Sequence, residues 1–229
     1  RLLRAAAGKI RHWVQLSSAG IYQKPAEGII TEESPVSPAD EYESSKTAAD
    51  HLVPDLAQAG GFSYTIVRPT TVYGTDMPNQ SLFQMINAIN RGLFFYIKDT
   101  RASANYVHVG NVADSLVLCG EHPTAVSRVY NISDHAPLKE IVDAIAHTLG
   151  RKVPSFVIPM SAARTLAMPS IFWGRWPLTR ARINAMTQNI VFSTQKIENE
   201  LGYCHRTSMV EGFTELTRHW KRSIGKKEN

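Results

Sequence analysis

Glu41-Tyr42-Glu43-Ser44-Ser45-Lys46-Thr47-Ala48-Ala49-Asp50 is the stretch on which the reading of this chain turns. It is rich in helix formers, and in a helix residues four apart lie on one face, one turn from each other. Tyr42 and Lys46 then present a phenol and an ammonium to the same space. A tyrosine ordinarily titrates at about 10, too high for a base at neutral pH, and a fixed neighbouring cation favours the phenolate. The pair predicts a general acid/base able to move a proton to or from an alcohol oxygen.

Upstream, Val14-Gln15-Leu16-Ser17-Ser18-Ala19-Gly20-Ile21-Tyr22 reads as a short apolar strand ending in paired serines. Ser18 falls just past the strand's carboxyl end, where open α/β sheets place ligands. Its hydroxyl can donate to a substrate oxygen while accepting from Tyr42. On its own it would be a turn serine, but the Tyr–Lys pair begins 24 residues on and makes it a candidate. Alternation along the strand turns Ser17 elsewhere. Downstream, Tyr64-Thr65-Ile66-Val67-Arg68-Pro69-Thr70-Thr71-Val72-Tyr73-Gly74 is a β-rich run interrupted by Arg-Pro.

A strand ending in serine, a helical Tyr-x-x-x-Lys and a strand ending in Arg-Pro, in that order, resemble the extended short-chain dehydrogenase/reductase family, in its NAD-dependent epimerase/dehydratase branch. The resemblance runs from about residue 10 to about residue 220. It implies NAD or NADP as cofactor and Tyr42, Lys46 and Ser18 as catalytic residues. Lys46 would also meet the cofactor ribose, with Tyr42 beside it. Arg68, Pro69, Thr70, Thr71 and Val72 would back the nicotinamide. Ala19, Asn79 (or its neighbour Gln80) and Arg101 are placed toward the substrate, which the resemblance implies to be a nucleotide sugar; it also admits a homodimer.

Departures from the family pattern narrow the chemistry. Dehydratases of this kind carry an Asp-Glu pair after the active hydroxyl residue; Ala19 and Gly20 stand there, so loss of water is not expected. Asn105-Tyr106-Val107-His108-Val109-Gly110-Asn111-Val112-Ala113 resembles the family's Tyr-Val-His-Val-Asp-Asp-Val-Ala, with Gly110 and Asn111 replacing the acidic pair and Asn111 expected to cap the helix. Ala104 occupies the place where epimerases often carry an arginine for the diphosphate, leaving Arg101 as a substitute. The leading expectation is a nucleotide-sugar epimerase. The alternative is an NAD(P)H-dependent reductase of a 4-keto sugar or another carbonyl. A third reading, a non-catalytic binding module, follows from the missing phosphate turn: no Gly-x-Gly-x-x-Gly or Gly-x-x-Gly-x-x-Gly follows a strand. Roughly the first third of the usual domain is therefore expected to be absent.

The bulk numbers fit this reading. With 229 residues and a formal charge of +5, the chain is long enough for one large domain or two lobes. Its basic tail, Lys221, Arg222, Lys226 and Lys227, reads as a solvated end rather than a nucleic-acid patch. Cys119 and Cys204 are few and distant, which implies free thiols in a reducing, cytoplasmic compartment. His108 has no partner at ligand spacing, so no metal is expected. Charges and prolines interrupt 157–176, which excludes a spanning helix; Ile171-Phe172-Trp173-Gly174-Arg175-Trp176 reads as buried or substrate-facing in preference to membrane contact.

The expected architecture is α/β: the C-terminal part of a Rossmann-like parallel sheet with a smaller α/β substrate lobe. Residues 1–149 would form the partial Rossmann-like domain, with 73–101 contributing to the substrate lobe that 150–229 completes. His12 to Ser17 is expected as a buried strand, Glu27 to Asp40 as a surface loop, and the helix from Tyr42 as kinked or shortened at Pro54.

Overall fold

The computed structural model describes residues 2–25, 27–77, 80–97, 102–168 and 179–225. The sites expected at Asn79 and Arg101, and the segment 171–176, lie outside the described residues. In chain order the elements are α1 (Leu2–Ala6), β1 (His12–Leu16), β2 (Glu27–Ile30), α2 (Glu41–Gly60), β3 (Ser63–Pro69), β4 (Thr71–Tyr73), α3 (Ser81–Asn90), β5 (Tyr96–Ile97), β6 (Ser103–His108), α4 (Val109–Glu121), β7 (Arg128–Ile132), β8 (Asp134–Pro137), α5 (Leu138–Leu149), β9 (Val157–Ile158), α6 (Met160–Ala167), α7 (Arg180–Ala185), β10 (Asn189–Phe192), α8 (Gln195–Leu201) and α9 (Met209–Gly225).

Two compact units interleave along the chain. The first comprises Arg1–Tyr73, Asn105–Asp134 and Val191–Thr207; the second comprises Gly74–Ala104, His135–Ile190 and Ser208–Asn229. The division expected after residue 149 thus falls inside the second unit, and 191–207 returns to the first.

The frame of the first unit is a parallel sheet in the order β1-β3-β7. Leu16 lies opposite Val67, and Val67 opposite Tyr130. Parallel neighbours need a crossover, and α2 supplies it between β1 and β3. Gly61, at φ 67°, closes α2 in the left-handed conformation that a glycine reaches without penalty. The central strand β3 is buried from Thr65 to Pro69, as its β-branched run predicts. β1, at one end of the order, is half-buried rather than buried. Val67, Val107, Val112, Tyr130, Ile132 and Ile197 pack together into the core, with Cys119 among them.

Three local expectations are corrected. The 27–40 segment contains β2, because the Ile30 carbonyl accepts from the Ser193 amide at 2.9 Å. α2 is not shortened at Pro54: it runs on to Gly60, with Val53 and Ala57 buried on either side of the proline. Asn111 does not cap α4. The cap is His108, whose Nδ1 accepts from the Gly110 amide. Asn111 is buried in the first turn, where its Nδ2 donates to the Thr207 carbonyl at 2.7 Å and its Oδ1 accepts from the amides of Arg206 and Thr207.

In the second unit α5 packs on α9. The buried face of α5, Leu138, Ile141, Val142, Ile145, Ala146 and Leu149, has helical period. A separate cluster gathers Ile97, Ile158, Ala163, Ala167 and Ile183 around the short β5–β9 pair. Among the described residues no helix is long and apolar enough to cross a membrane. Both cysteines are free: Cys119 is buried and Cys204 exposed.

Ile145 is fully buried, so Ile145→Ala should cost about 2–5 kcal/mol in denaturant unfolding. A pH effect is expected at His12, whose Nδ1 and Nε2 bond the hydroxyls of Ser63 and Thr65 at 2.7 and 3.0 Å. Burial lowers its pKa from the usual value, partly opposed by a backbone hydrogen bond involving Cys119. A lowered folded value means that the unfolded chain binds the proton more readily. The stability is therefore complete above about pH 6.5 and is lost as pH falls through the lowered value. His12→Gln should flatten the fall in stability between about pH 7 and 5.

Candidate active site

The first turn of α2 is built to start a helix. Asp40 caps it, its Oδ1 accepting from the Glu43 amide at 2.8 Å, and Glu41 and Glu43 place negative charge at the positive end of the dipole. Tyr42 is the second residue of the helix and is 57% exposed. Lys46 follows one turn later. Its Nζ donates to the Leu16 carbonyl at 3.0 Å and stands 5.7 Å from the centre of the Tyr42 ring. The helix thereby hangs its phenol–ammonium pair at the carboxyl end of β1. An ammonium has three N–H donors, so Lys46 keeps donors beyond the one given to Leu16.

The two serines past β1 part as alternation predicts. Ser17 is 3% exposed and its Oγ donates to Asp50 Oδ2 at 2.9 Å. Ser18 is half-exposed, and its Oγ accepts from the Gly20 amide at 3.1 Å, capping a single 3-10 turn over Ala19–Ile21. Among the described residues neither the Ser18 hydroxyl proton nor the Tyr42 hydroxyl has a hydrogen-bond partner. Ala19 is fully buried, so its methyl faces the interior.

Beneath the pair lies a buried polar network whose members are far apart in the sequence. Asp50 shares the helix face of Tyr42 and Lys46, one turn further on. Its Oδ2 accepts from Ser17 and from Arg68 Nε at 3.0 Å. Arg68 Nη1 donates to the Tyr22 hydroxyl at 2.8 Å, with the guanidinium 5.1 Å from that ring's centre. Tyr22 donates to Asn131 Oδ1 at 2.9 Å, and the Asn131 amide donates to Glu32 Oε1 at 2.7 Å. Burial pushes the Tyr22 phenol up, against the pull of Arg68, which keeps it neutral and able to donate. Burial also pushes the Glu32 carboxyl up, opposed by the Asn131 amide.

The stretch expected behind a nicotinamide divides accordingly. The Arg68 side chain is committed inward and Pro69 is buried in β3. Thr70 is tied to β7 and its end, through its amide to the Ile132 carbonyl and its hydroxyl to Ser133 Oγ. Thr71 and Val72, in β4, are exposed. Two hydroxyls and an ammonium at the carboxyl ends of parallel strands suit a ribose diol and an alcohol or ketone oxygen, and so fit the nicotinamide-ribose end of a dinucleotide. Tyr22, Asp50 and Glu43 are the site's missed residues. The spacing 42, 46, 50 was the available signal for Asp50.

A parallel sheet with this pair at a strand end is the arrangement of the short-chain dehydrogenase/reductase class. The chain belongs to the NAD dependent epimerase/dehydratase family, whose model matches residues 1–133. It is 27% identical over 227 residues to a 4-hydroxy-2-methyl-3-oxo-4-farnesyl-3,4-dihydroquinoline-1-oxide ketoreductase of Stigmatella aurantiaca, covering 94% of this chain and 67% of the relative. Against the UDP-glucose 4-epimerase of Vibrio cholerae it is 27% identical over 126 residues, 54% of this chain and 38% of that one. The UDP-glucuronic acid 4-epimerase of Bacillus cereus, solved in complex with NAD, superposes with a TM-score of 0.73 at 16% identity, over 97% of this chain and 65% of that one. That likeness shows a shared Rossmann-type fold. The chain spans about two thirds or less of the length of these proteins.

Asp50→Ala leaves the Arg68 charge buried without its carboxylate and should cost about 3–5 kcal/mol. The double variant Asp50→Leu/Arg68→Met should cost less than the sum of its single changes in denaturant unfolding.

Proposed function

We propose that this chain carries the proton-transfer site of an NAD(P)-dependent oxidoreductase that interconverts a ketone and a secondary alcohol. The observation that carries the reading is the anchored Lys46 ammonium beside a Tyr42 hydroxyl that has no hydrogen-bond partner among the described residues, next to the turn that holds the Ser18 hydroxyl. A bound nicotinamide supplies the hydride chemistry. In the reducing direction the Ser18 hydroxyl holds the carbonyl oxygen, and Tyr42 Oη gives its proton to that oxygen as it becomes an alcohol. Lys46 balances the charge left on the phenolate and binds the ribose. The oxidising direction reverses these proton movements.

Ketone reduction is favoured because the relative matched along 94% of the chain is a ketoreductase, and because Ala104, where an arginine would meet a diphosphate, is buried. Epimerisation of a nucleotide sugar is the second reading, supported by the likeness to UDP-glucose 4-epimerase. It would use the same proton steps, with the ketone rotated before the hydride returns. The free thiols support a reducing compartment such as the cytoplasm.

Titration of the chain with NADH and NADPH, followed by tryptophan fluorescence, should show saturable binding. Nicotinamide oxidation should then depend on added ketone, whereas interconversion of UDP-glucose and UDP-galactose without net oxidation would favour the second reading. Tyr42→Phe should lower turnover by about 100-fold or more; full turnover in that variant would sink the assignment.

A further inference from the structure

Glu43 follows Tyr42 directly, yet is only 8% exposed. Its two carboxylate oxygens take partners on two different segments. Oε2 accepts from the Ala39 amide at 2.7 Å, on the segment entering α2. Oε1 takes the Lys24 ammonium at 3.2 Å, on the segment leaving the Ser18 turn. The first contact falls one residue before the N-cap Asp40, and helix capping does not call for the second.

The second is made possible by Gly20. A Cβ built there would lie 3.0 Å from Glu43 Oε1 and 3.1 Å from Ser18 Oγ, tighter than ordinary van der Waals contact. The carboxylate therefore occupies the space of the missing side chain and lies against the turn that presents Ser18. Glu43 is held from two sides, whereas Ser18 Oγ has only the Gly20 amide among the described residues. A side chain at 20 would displace Ser18 before it displaced Glu43.

We infer that Glu43 is a positioning residue: bridged to Lys24 and seated over Gly20, it sets the Ser18 hydroxyl against Tyr42. The inference rests on the oxidoreductase reading for its kinetic consequence, and on geometry alone for the link between the two segments. Glu43→Gln keeps an oxygen for the Ala39 amide but gives Lys24 no carboxylate, and Lys24→Met breaks the same bridge from the other end. Small displacements of catalytic groups are costly, so each change should lower kcat by about 10-fold with KM held within about twofold.

The test is a cycle of Gly20→Ala and Glu43→Ala, read by kcat and by the ring 13C resonance of Tyr42, assigned with Tyr42→Phe. Gly20→Ala should shift the Tyr42 resonance and lower kcat when Glu43 is present. Both effects should be clearly smaller when Glu43 is already alanine, since only the 3.1 Å approach to Ser18 Oγ then remains, and effects of equal size in the two backgrounds would overturn the inference. A Tyr42 resonance that ignores Gly20→Ala in the Glu43 background would overturn the inference, whether or not the protein turns over substrate. So would an unchanged kcat in Glu43→Gln and Lys24→Met. If Tyr42→Phe keeps full turnover while the resonance cycle shows coupling, the oxidoreductase reading falls and the positional link stands.

Discussion

The buried pair of Asp50 and Arg68 is the constraint on which the rest of the first unit depends. Withdrawing two charges from water costs several kcal/mol each, and the cost is met only while they meet each other in good geometry with further hydrogen bonds. Arg68 adds a bond to Tyr22, and Asp50 Oδ2 one from Ser17, while Asp50 Oδ1 is buried without a hydrogen-bond partner among the described residues, so the pair rests on its Oδ2 contacts. The rotation of α2 about its axis follows. A slip of one residue would swing Asp50 by about 100° and strand both charges. Since Tyr42 and Lys46 share the face of Asp50, the buried pair also fixes where they point. The bond from Lys46 to the Leu16 carbonyl assists, but a partly exposed contact is worth far less than the cost of leaving Arg68 unpaired.

This arrangement separates rigidity from access. Below the pair, polar groups from β1's end, α2, β3 and β7 are joined in one buried chain of hydrogen bonds. Above it, Tyr42 is open, and among the described residues its hydroxyl has no hydrogen-bond partner. Under the proposed function, a group that exchanges a proton with a visiting molecule needs that freedom, and a fixed base beneath it so that little reorganisation remains.

The fold class and the family were legible because they are written in short-range patterns. The four-residue interval of Tyr42 and Lys46, the β-branched run before Arg68 and the helical period of 138–149 each follow from local geometry. What stayed hidden depends on partners far along the chain. The Arg68 side chain turns inward because Asp50 and Tyr22 await it, and neither is marked by sequence distance. Asn111 looks like a cap, but the loop at 206–207 offers three bonds that a cap position cannot match. Glu27-Gly28-Ile29-Ile30 is too short and too glycine-broken to declare itself as a strand until 193 pairs with it. Glu43 resembles any acidic first-turn residue; only its seat against Gly20, where a Cβ would crowd it, distinguishes it.

The two thiols carry a practical consequence. Cys119 lies in the core, and burial pushes it up to about 12, so it is neither reached by reagents nor ionised at neutral pH. Cys204 is exposed. The folded chain therefore behaves as a molecule of single valence toward oxidants. In an ageing, air-exposed preparation it can couple once, into a covalent pair, and a longer ladder on a non-reducing gel would report unfolding rather than surface chemistry.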